Sequence, residues 1–224
     1  MPYVKASALK SNETFSILTL NEAFEYAVME YQFAFWQWGE SCDKIPSDTT
    51  SIEDIATYLI SISSPNWYSD KSIEGGQPHY YQVATELGYY EYETKAFQDF
   101  LVDLPTDKNP MCIFLLEDIP IEFNSRLLND VNHWLEANGN KFIYIYGAMD
   151  PWSAAAVPQS DYVDSEWFIM KGKHHGTARI ARMTGSERAR LVSTLERWLS
   201  IENIRNTAST CECEHGIKHQ FTGP

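Results

Sequence analysis

The sequence predicts an α/β protein in which a mainly helical region precedes part of a parallel β-sheet. Helical periodicity dominates the first hundred residues, whereas short apolar runs alternate with helical segments in the next hundred. We therefore expect three regions: a mainly helical region over 1–106, an α/β region over 107–205, and a polar tail over 206–224 that we expect to be disordered.

The helical region begins with the strongest pattern in the chain. Thr19 and Glu22 have the spacing of a capping box, and aromatic and apolar residues then recur at intervals of three and four until Gly39 ends the pattern. A second helix is predicted over 51–63, where isoleucines and a leucine share one face.

Turn-forming residues punctuate the rest of the helical region. The segment from Pro65 to Pro78 is predicted to be a loop that turns at Gly75-Gly76. Gly88 ends or bends the aromatic segment that follows, and a short helix is predicted around 94–102.

The α/β region alternates helices with strands. A helix over 125–138 leads into a strand at 142–146, a second strand lies at 167–170, and a helix over 186–200 follows. The inward face of the first of these helices is predicted to consist of Leu127, Leu128, Val131 and Trp134.

Chemically active side chains follow both strands. Gly147 ends the first strand and leaves Asp150 on a loop at its carboxyl end, and His174-His175 follow the second strand. An aspartate at this place can orient a histidine, which then accepts a proton from a serine hydroxyl. An exposed turn aspartate with two surface histidines is the alternative, and the strand context favours the acid–base pair.

Composition excludes several classes of function. The chain has 224 residues, of which 44% are hydrophobic, and a formal net charge of −14. Such a surface repels nucleic acid and anionic membranes, so neither is expected as a partner. No apolar run approaches the ~20 residues that cross a bilayer, and residues 1–6 show no signal peptide.

The cysteines indicate neither a disulfide framework nor a metal centre. Cys112 lies in the apolar run 111–116 and is expected to be a buried free thiol, and Cys211 and Cys213 lie in the polar tail. The tail could ligate zinc through Cys211, Cys213, His215 and His219. The Cys-x-Cys spacing is tighter than in structural zinc sites, so we expect no metal and no other cofactor.

Several motifs together resemble a peptidase family. They are Tyr146-Gly147-x-x-Asp150-Pro151-Trp152, His175-x-Thr177-x-x-Ile180, Tyr81-Gln82-x-x-Thr85-Glu86-x-Gly88-Tyr89, and the run Phe35–Gly39 with the nearby Ile45-Pro46. In this order, over about residues 20–200, they resemble the tripeptidyl aminopeptidases of peptidase family S37, the PS-10 group. The Asp-Pro-Trp element is similar to that of the S28 prolyl peptidases.

The resemblance implies an α/β-hydrolase fold with a helical cap. By that resemblance Asp150 is the acid of a Ser-Asp-His triad and His175 its base, with His174 as the alternative base. Glu86 is expected near the amino end of a peptide substrate, where it would pair with the α-ammonium group. Tyr89 and Trp152 are expected to line the pocket. A structural carboxylate and core aromatics remain the alternatives for these three residues.

The third member of the triad is not found in this chain. No Gly-x-Ser-x-Gly elbow occurs in the sequence. Ser41 has no strand before it, and Gly185-Ser186 is predicted to cap a helix after the histidine loop. At most three or four strands can be recognised. The chain is therefore expected to be the C-terminal part of such a peptidase, inactive alone, and to self-associate or pair with the missing N-terminal half. A complete hydrolase with Ser153 or Ser186 as nucleophile is a further alternative.

The sequence thus predicts a serine exopeptidase that hydrolyses peptides from the N-terminus and is missing its serine elbow. The resemblance also implies a secreted or periplasmic enzyme. The rival hypothesis is a non-catalytic peptide-binding protein on a hydrolase scaffold that has lost its nucleophile.

Overall fold

The computed structural model describes residues 12–88, 92, 94–104, 114–115 and 120–200. Within these ranges the chain combines helices with a small parallel sheet. The helices are α1 (Leu20–Trp38), α2 (Ile52–Ile62), α3 (Asp70–Gln82), α4 (Arg126–Asn138) and α5 (Gly185–Leu199), and the strands are β1 (Ile143–Gly147) and β2 (Glu166–Met170). No helix in the described ranges has the length and hydropathy to span a bilayer.

Helix α1 has the ends that the sequence predicts. The Thr19 hydroxyl accepts a hydrogen bond from the Glu22 N–H at 3.2 Å, and the Glu22 carboxylate accepts one from the Thr19 N–H at 2.7 Å. The helix ends at Gly39, whose φ of 76° lies in the left-handed region. Both predicted ends of this helix are confirmed.

The loop predicted between Pro65 and Pro78 is wrong. A short 3₁₀ turn over Pro65–Tyr68 leads directly into α3, which contains both glycines and Pro78. The Ser69 hydroxyl caps the helix, and Ile73 is fully buried one turn later. Burial of this face outweighs the poor helix propensity of glycine and proline, which was the signal that suggested a loop.

The segment after α3 also differs from the prediction. A π-helical turn over Val83–Leu87 continues α3, and Gly88 ends it with a φ of 72°. The short helix expected around 94–102 is reduced to a 3₁₀ turn at Lys95–Phe97. At the end of this segment, the carboxylate of Glu25 of α1 accepts hydrogen bonds from the backbone N–H groups of residues 102–104. These amides therefore bond to a side chain rather than within a helix.

The helical region has a continuous aromatic core. Tyr26 stacks on Tyr68 with ring centroids 5.3 Å apart, and Phe114 packs against both rings. The buried members of this core are Leu18, Ala23, Tyr26, Ala27, Tyr68, Ile73, Val83, Ala84, Leu104 and Phe114.

The two predicted strands are confirmed as a parallel pair. Ile143 lies opposite Glu166, and Gly147 lies opposite Met170. Helix α5 covers one face, where Phe168, Met170, Met183 and Leu191 form a small buried cluster. The sequence allowed three or four strands, and the described residues contain these two.

Helix α4 forms as predicted, but its apolar face does not point inward. Leu127, Val131 and Trp134 are 59%, 45% and 53% exposed, and no residue of the helix is buried. Ile169 on β2 is exposed as well. Among the residues that the structure describes, the two-stranded sheet leaves the apolar stripe of α4 exposed to solvent.

Candidate active site

Asp150 and His175 form a hydrogen-bonded pair at the carboxyl end of the sheet. The Asp150 Oδ2 lies 2.8 Å from the His175 Nδ1. The other carboxylate oxygen accepts a hydrogen bond from the Trp152 backbone N–H at 3.1 Å, in the 3₁₀ turn over Pro151–Ala155. Both oxygens of Asp150 are therefore held, and the carboxylate is fixed toward the imidazole.

The parallel sheet brings these two residues together. The loops after β1 and β2 leave the same edge, and they are tied by hydrogen bonds from the Ala148 N–H to the Met170 carbonyl and from the Met149 N–H to the Lys173 carbonyl. At Gly147 a Cβ atom would lie 2.6 Å from the Lys173 carbonyl oxygen. The close approach of the loops therefore requires glycine at the end of β1.

The pair leaves one imidazole nitrogen open for chemistry. A carboxylate oxygen only accepts, so the His175 Nδ1 carries the shared proton and Nε2 of the neutral ring is an acceptor. The Asp150 side chain is 11% exposed, whereas that of His175 is 48% exposed. The accessible imidazole can accept a proton at Nε2, and the shielded carboxylate behind it can stabilise the resulting imidazolium.

His174 has different surroundings. Its Nδ1 lies 3.3 Å from the Gln37 carbonyl oxygen, and its backbone N–H donates to the Thr177 hydroxyl. Its ring packs so closely over Gly39 that a Cβ atom there would overlap it. Of the two adjacent histidines, which the sequence left as alternatives, His175 contacts Asp150 and His174 contacts the end of α1.

The end of α1 also holds the loop of His175. The His175 backbone N–H donates to the Gln37 carbonyl at 3.1 Å, and the Trp38 ring meets the His175 ring edge-on at a centroid distance of 5.9 Å. The Asp150–His175 pair therefore lies at the junction of the helical region and the α/β region.

An aromatic cavity adjoins this junction. Trp152, predicted to line the substrate pocket, lies on a cavity of about 240 Å³. The other lining residues are Glu30, Gln37, Trp38, Trp67, Tyr68, Tyr80, Tyr92 and Phe114. The Tyr92 hydroxyl donates to the Glu30 Oε2 at 2.9 Å. Burial raises the pKa of the Glu30 carboxyl, and the hydrogen bond from Tyr92 lowers it by less.

Glu86 lies in a separate cavity. Its neighbours there include Tyr81, Thr85, Arg126 and Asp130, and none of the residues that contact Asp150 or His175 lines it. Glu86 and Trp152 thus line different cavities. Tyr89, the third predicted pocket residue, lies outside the described residues, as does the tail with Cys211 and Cys213.

Sequence reasoning missed Glu30. The available signal was its position in the aromatic pattern of α1, since Glu30, Phe33 and Gln37 recur at intervals of three and four. The Phe33 ring meets the Trp152 ring edge-on at 5.0 Å. The pattern indicates that Glu30 shares a helix face with Phe33 and Gln37, but that this face packs against the loop after β1 is seen only in the structure.

None of the serine hydroxyls in the described ranges hydrogen-bonds to His175. The Ser153 hydroxyl donates to the Gly147 carbonyl at 2.6 Å, the Ser186 hydroxyl pairs with that of Thr184, and the Ser41 hydroxyl pairs with Asp43. Nor do the described histidine, cysteine and acidic side chains form a group of three that could hold a metal ion.

The comparisons with known proteins agree with the motifs. The chain is 26% identical over 204 residues to a prolyl tri/tetrapeptidyl aminopeptidase of Streptomyces mobaraensis, and the match covers 87% of this chain but only 41% of that relative. No solved structure matches. The model of the family described as PS-10 peptidase S37 matches residues 3–212. This match covers nearly the whole chain and confirms the resemblance, so the chain belongs to peptidase family S37.

Proposed function

We propose that this chain supplies the acid and the base of a serine exopeptidase that releases short peptides from free N-termini. The observation that carries the proposal is the 2.8 Å hydrogen bond between Asp150 and His175 at the ends of two parallel strands. Because the chain belongs to peptidase family S37, we assign this acid–base pair to peptide-bond hydrolysis. The name of the curated relative favours tripeptides and tetrapeptides as products.

The proposed reaction proceeds in two proton-transfer cycles. The His175 Nε2 takes the proton of a serine hydroxyl as the serine oxygen bonds to the scissile carbonyl carbon, and Asp150 stabilises the imidazolium. When the carbon–nitrogen bond breaks, the imidazolium returns that proton to the leaving amine and an acyl-enzyme remains. A water molecule repeats the cycle and releases the peptide as a carboxylic acid.

We propose that the serine lies in the part of the family enzyme that these 224 residues do not span. The sequence contains no Gly-x-Ser-x-Gly motif, and the matched region is 41% of the curated relative. The exposed apolar stripe of α4, formed by Leu127, Val131 and Trp134, supports this arrangement because an exposed apolar face needs a cover. The nucleophile-bearing part is the proposed cover, and the completed sheet would have the α/β-hydrolase fold. By family kinship we propose that the enzyme is secreted or periplasmic.

Reconstitution tests the proposal. The chain is joined to the nucleophile-bearing part of an S37 enzyme, and tripeptide release from a fluorogenic substrate is measured. We expect His175→Ala to remove nearly all of the restored activity, by about 10³-fold or more, because the base is lost. The matched change His174→Ala should lower activity much less. Equal losses in the two variants, or full activity in His175→Ala, would contradict the assignment.

The pairing face needs its own test. Val131→Glu places a charge in the middle of the α4 stripe and should prevent assembly with a separately expressed nucleophile-bearing part, as measured by native mass spectrometry. His133→Glu, a charge change elsewhere on this exposed helix, is the control. Assembly that is unaffected by Val131→Glu would place the interface elsewhere.

Covalent labelling distinguishes the peptidase from a protein that only binds peptides. A fluorophosphonate should label one serine of the reconstituted enzyme and no serine of this chain alone. An adduct at Ser153 or Ser186 would show that the chain holds its own nucleophile. An assembly that binds peptides but takes no label would support the non-catalytic alternative.

A further inference from the structure

We propose that the aromatic cavity beside the Asp150–His175 pair binds the amino end of the peptide substrate, with Glu30 as the counter-ion of its α-ammonium group. This inference deepens the proposed function and depends on it for the nature of the substrate. It replaces Glu86 with a different carboxylate, in a different cavity, as the group that recognises the free N-terminus.

The position of the cavity is the first argument. Three of its lining residues also contact the Asp150–His175 pair or its loop. Trp152 donates its backbone N–H to Asp150, Trp38 packs against the His175 ring, and the Gln37 carbonyl accepts from the His175 N–H. A peptide whose amino end occupies the cavity therefore has its following peptide bonds near the His175 imidazole. The cavity of Glu86 lacks any such shared residue.

The chemistry of the cavity is the second argument. Among the described residues that line the cavity, Glu30 is the one acidic residue, and it takes part in none of their ion pairs. The Tyr68 hydroxyl donates to the Tyr92 hydroxyl at 3.1 Å, and Tyr92 in turn donates to the Glu30 Oε2. This chain of hydroxyls positions the carboxylate, and an arriving ammonium group would supply the missing cation at a partly buried site.

The walls of the cavity suit the same ligand. Trp38, Trp67 and Trp152 are joined there by Tyr80 and Phe114, so aromatic residues make up most of the lining. Aromatic faces attract a cation and also pack against an apolar first side chain. The volume of about 240 Å³ is below the roughly 300–1,000 Å³ of pockets for drug-sized ligands, which favours one end of a peptide over a longer segment.

Binding to the 224-residue chain tests the inference without any need for catalysis. Trialanine amide with a free amino group and its N-acetylated counterpart are titrated by calorimetry at pH 7. We expect the free peptide to bind at least about tenfold more tightly than the acetylated peptide, since acetylation removes the charge that Glu30 pairs with. Indole N–H resonances of Trp67 and Trp152 should shift, and those of Trp134 and Trp198, which do not line the cavity, should not.

Glu30→Gln is the matching variant because it keeps the size of the side chain and an oxygen that can accept from Tyr92. It should remove the preference for the free peptide, whereas Glu53→Gln, the same change on the exposed first turn of α2, should not. Glu86→Gln tests the rival carboxylate. Loss of the preference in Glu86→Gln but not in Glu30→Gln would overturn the inference. Equal binding of the two peptides to the unmodified chain would also overturn it, even if the Glu30 variant did not fold.

The pH dependence gives a second readout. Binding of the free peptide should weaken as the pH falls and Glu30 becomes protonated, and burial brings this transition above the usual range of a glutamate pKa. The other titratable groups facing Glu30 in the cavity are Tyr68, Tyr80 and Tyr92, and burial raises the pKa of each phenol, so they stay neutral over this range. Binding that is constant from pH 8 to pH 4 would contradict a role for Glu30.

The two proposals can fail separately. A preference for the free peptide in this chain, together with an inactive reconstituted enzyme, would leave the amino-end site standing and reject the peptidase mechanism. A reconstituted enzyme whose KM for free and acetylated peptides is unchanged by Glu30→Gln would keep the peptidase and reject the site.

Discussion

The helical region and the α/β region bury their apolar residues to different degrees. The buried cluster of the helical region begins at Leu18, includes stacked aromatic rings and is joined by Phe114 from the start of the α/β region. The α/β region has a smaller cluster around Phe168 and leaves the apolar stripe of α4 exposed. The helical region thus contributes most of the larger core, although both regions also expose large apolar side chains, such as Ile52 and Leu127. The Asp150–His175 pair lies where the two regions meet.

The largest effect should come from the α/β region. In the reconstituted enzyme, Asp150→Asn should lower kcat by about 10⁴-fold, because an amide holds the imidazole in the wrong tautomer. Glu30→Gln in the helical region should act mainly on KM for peptides with a free amino end. Steady-state kinetics of both variants measures whether Asp150→Asn lowers kcat while Glu30→Gln raises KM. A fall in kcat of similar size in both variants would remove the distinction between a chemical region and a binding region.

Core truncation should separate the two regions next. Ile73→Ala, at a fully buried position of α3, should lower the free energy of unfolding of the chain by about 2–5 kcal/mol, since a cavity replaces packed atoms. Val131→Ala on the exposed stripe of α4 should change it by no more than about 0.5 kcal/mol. Urea unfolding followed by circular dichroism measures both. A large loss in Val131→Ala would show that this face is already packed in the isolated chain.

Acid should act on the helical region through Asp70. Burial opposes ionisation of Asp70, but hydrogen bonds from the backbone of Ile17 and Ser16 and from the hydroxyls of Thr14 and Ser16 together lower its pKa from 3.8 to about 2. A lowered pKa means that the stabilisation is present above about pH 4 and is lost as the pH falls toward 2.

Asp70→Asn should therefore reduce stability at pH 7 by about 1–3 kcal/mol and flatten the acid dependence between pH 4 and pH 2. Asp164 is the matched control in the α/β region, because its hydrogen bond from the exposed Arg197 also lowers its pKa. Asp164→Asn should have a much smaller effect, since solvent screens that pair. Thermal unfolding across this pH range measures both variants, and equal responses would contradict the difference in burial.

The smallest effects should be equal in the two regions. Thr19→Ala and Thr184→Ala each remove one hydroxyl from a capping box, at the start of α1 and of α5. Each should cost about 1 kcal/mol, seen as faster hydrogen exchange in the first turn of its own helix. A much larger loss at either helix would show that the cap also supports tertiary packing.

The elements that the sequence predicted correctly are those stabilised by interactions between residues close in sequence. The capping box at Thr19, the stop at Gly39 and both strands depend on near neighbours, and the structure has them where the sequence predicts. Helix α3 was missed because it is stabilised by tertiary burial of Ile73, which the local glycine and proline signals do not indicate. The end of the segment before Leu104 could not be predicted from local signals, because its backbone N–H groups donate to Glu25, almost eighty positions earlier.

The candidate site divides in the same way. The order of strand, aspartate, strand and histidine is local, so sequence alone determined that Asp150 and a histidine follow neighbouring strands. It could not choose between His174 and His175, because that choice depends on how the loop packs on Gly39 and Gln37 at the end of α1. Nor could the sequence show that Glu86 and Trp152 lie in different cavities, or that Glu30 lines the cavity of Trp152. Only tertiary packing between distant helices and loops decides which side chains share a pocket.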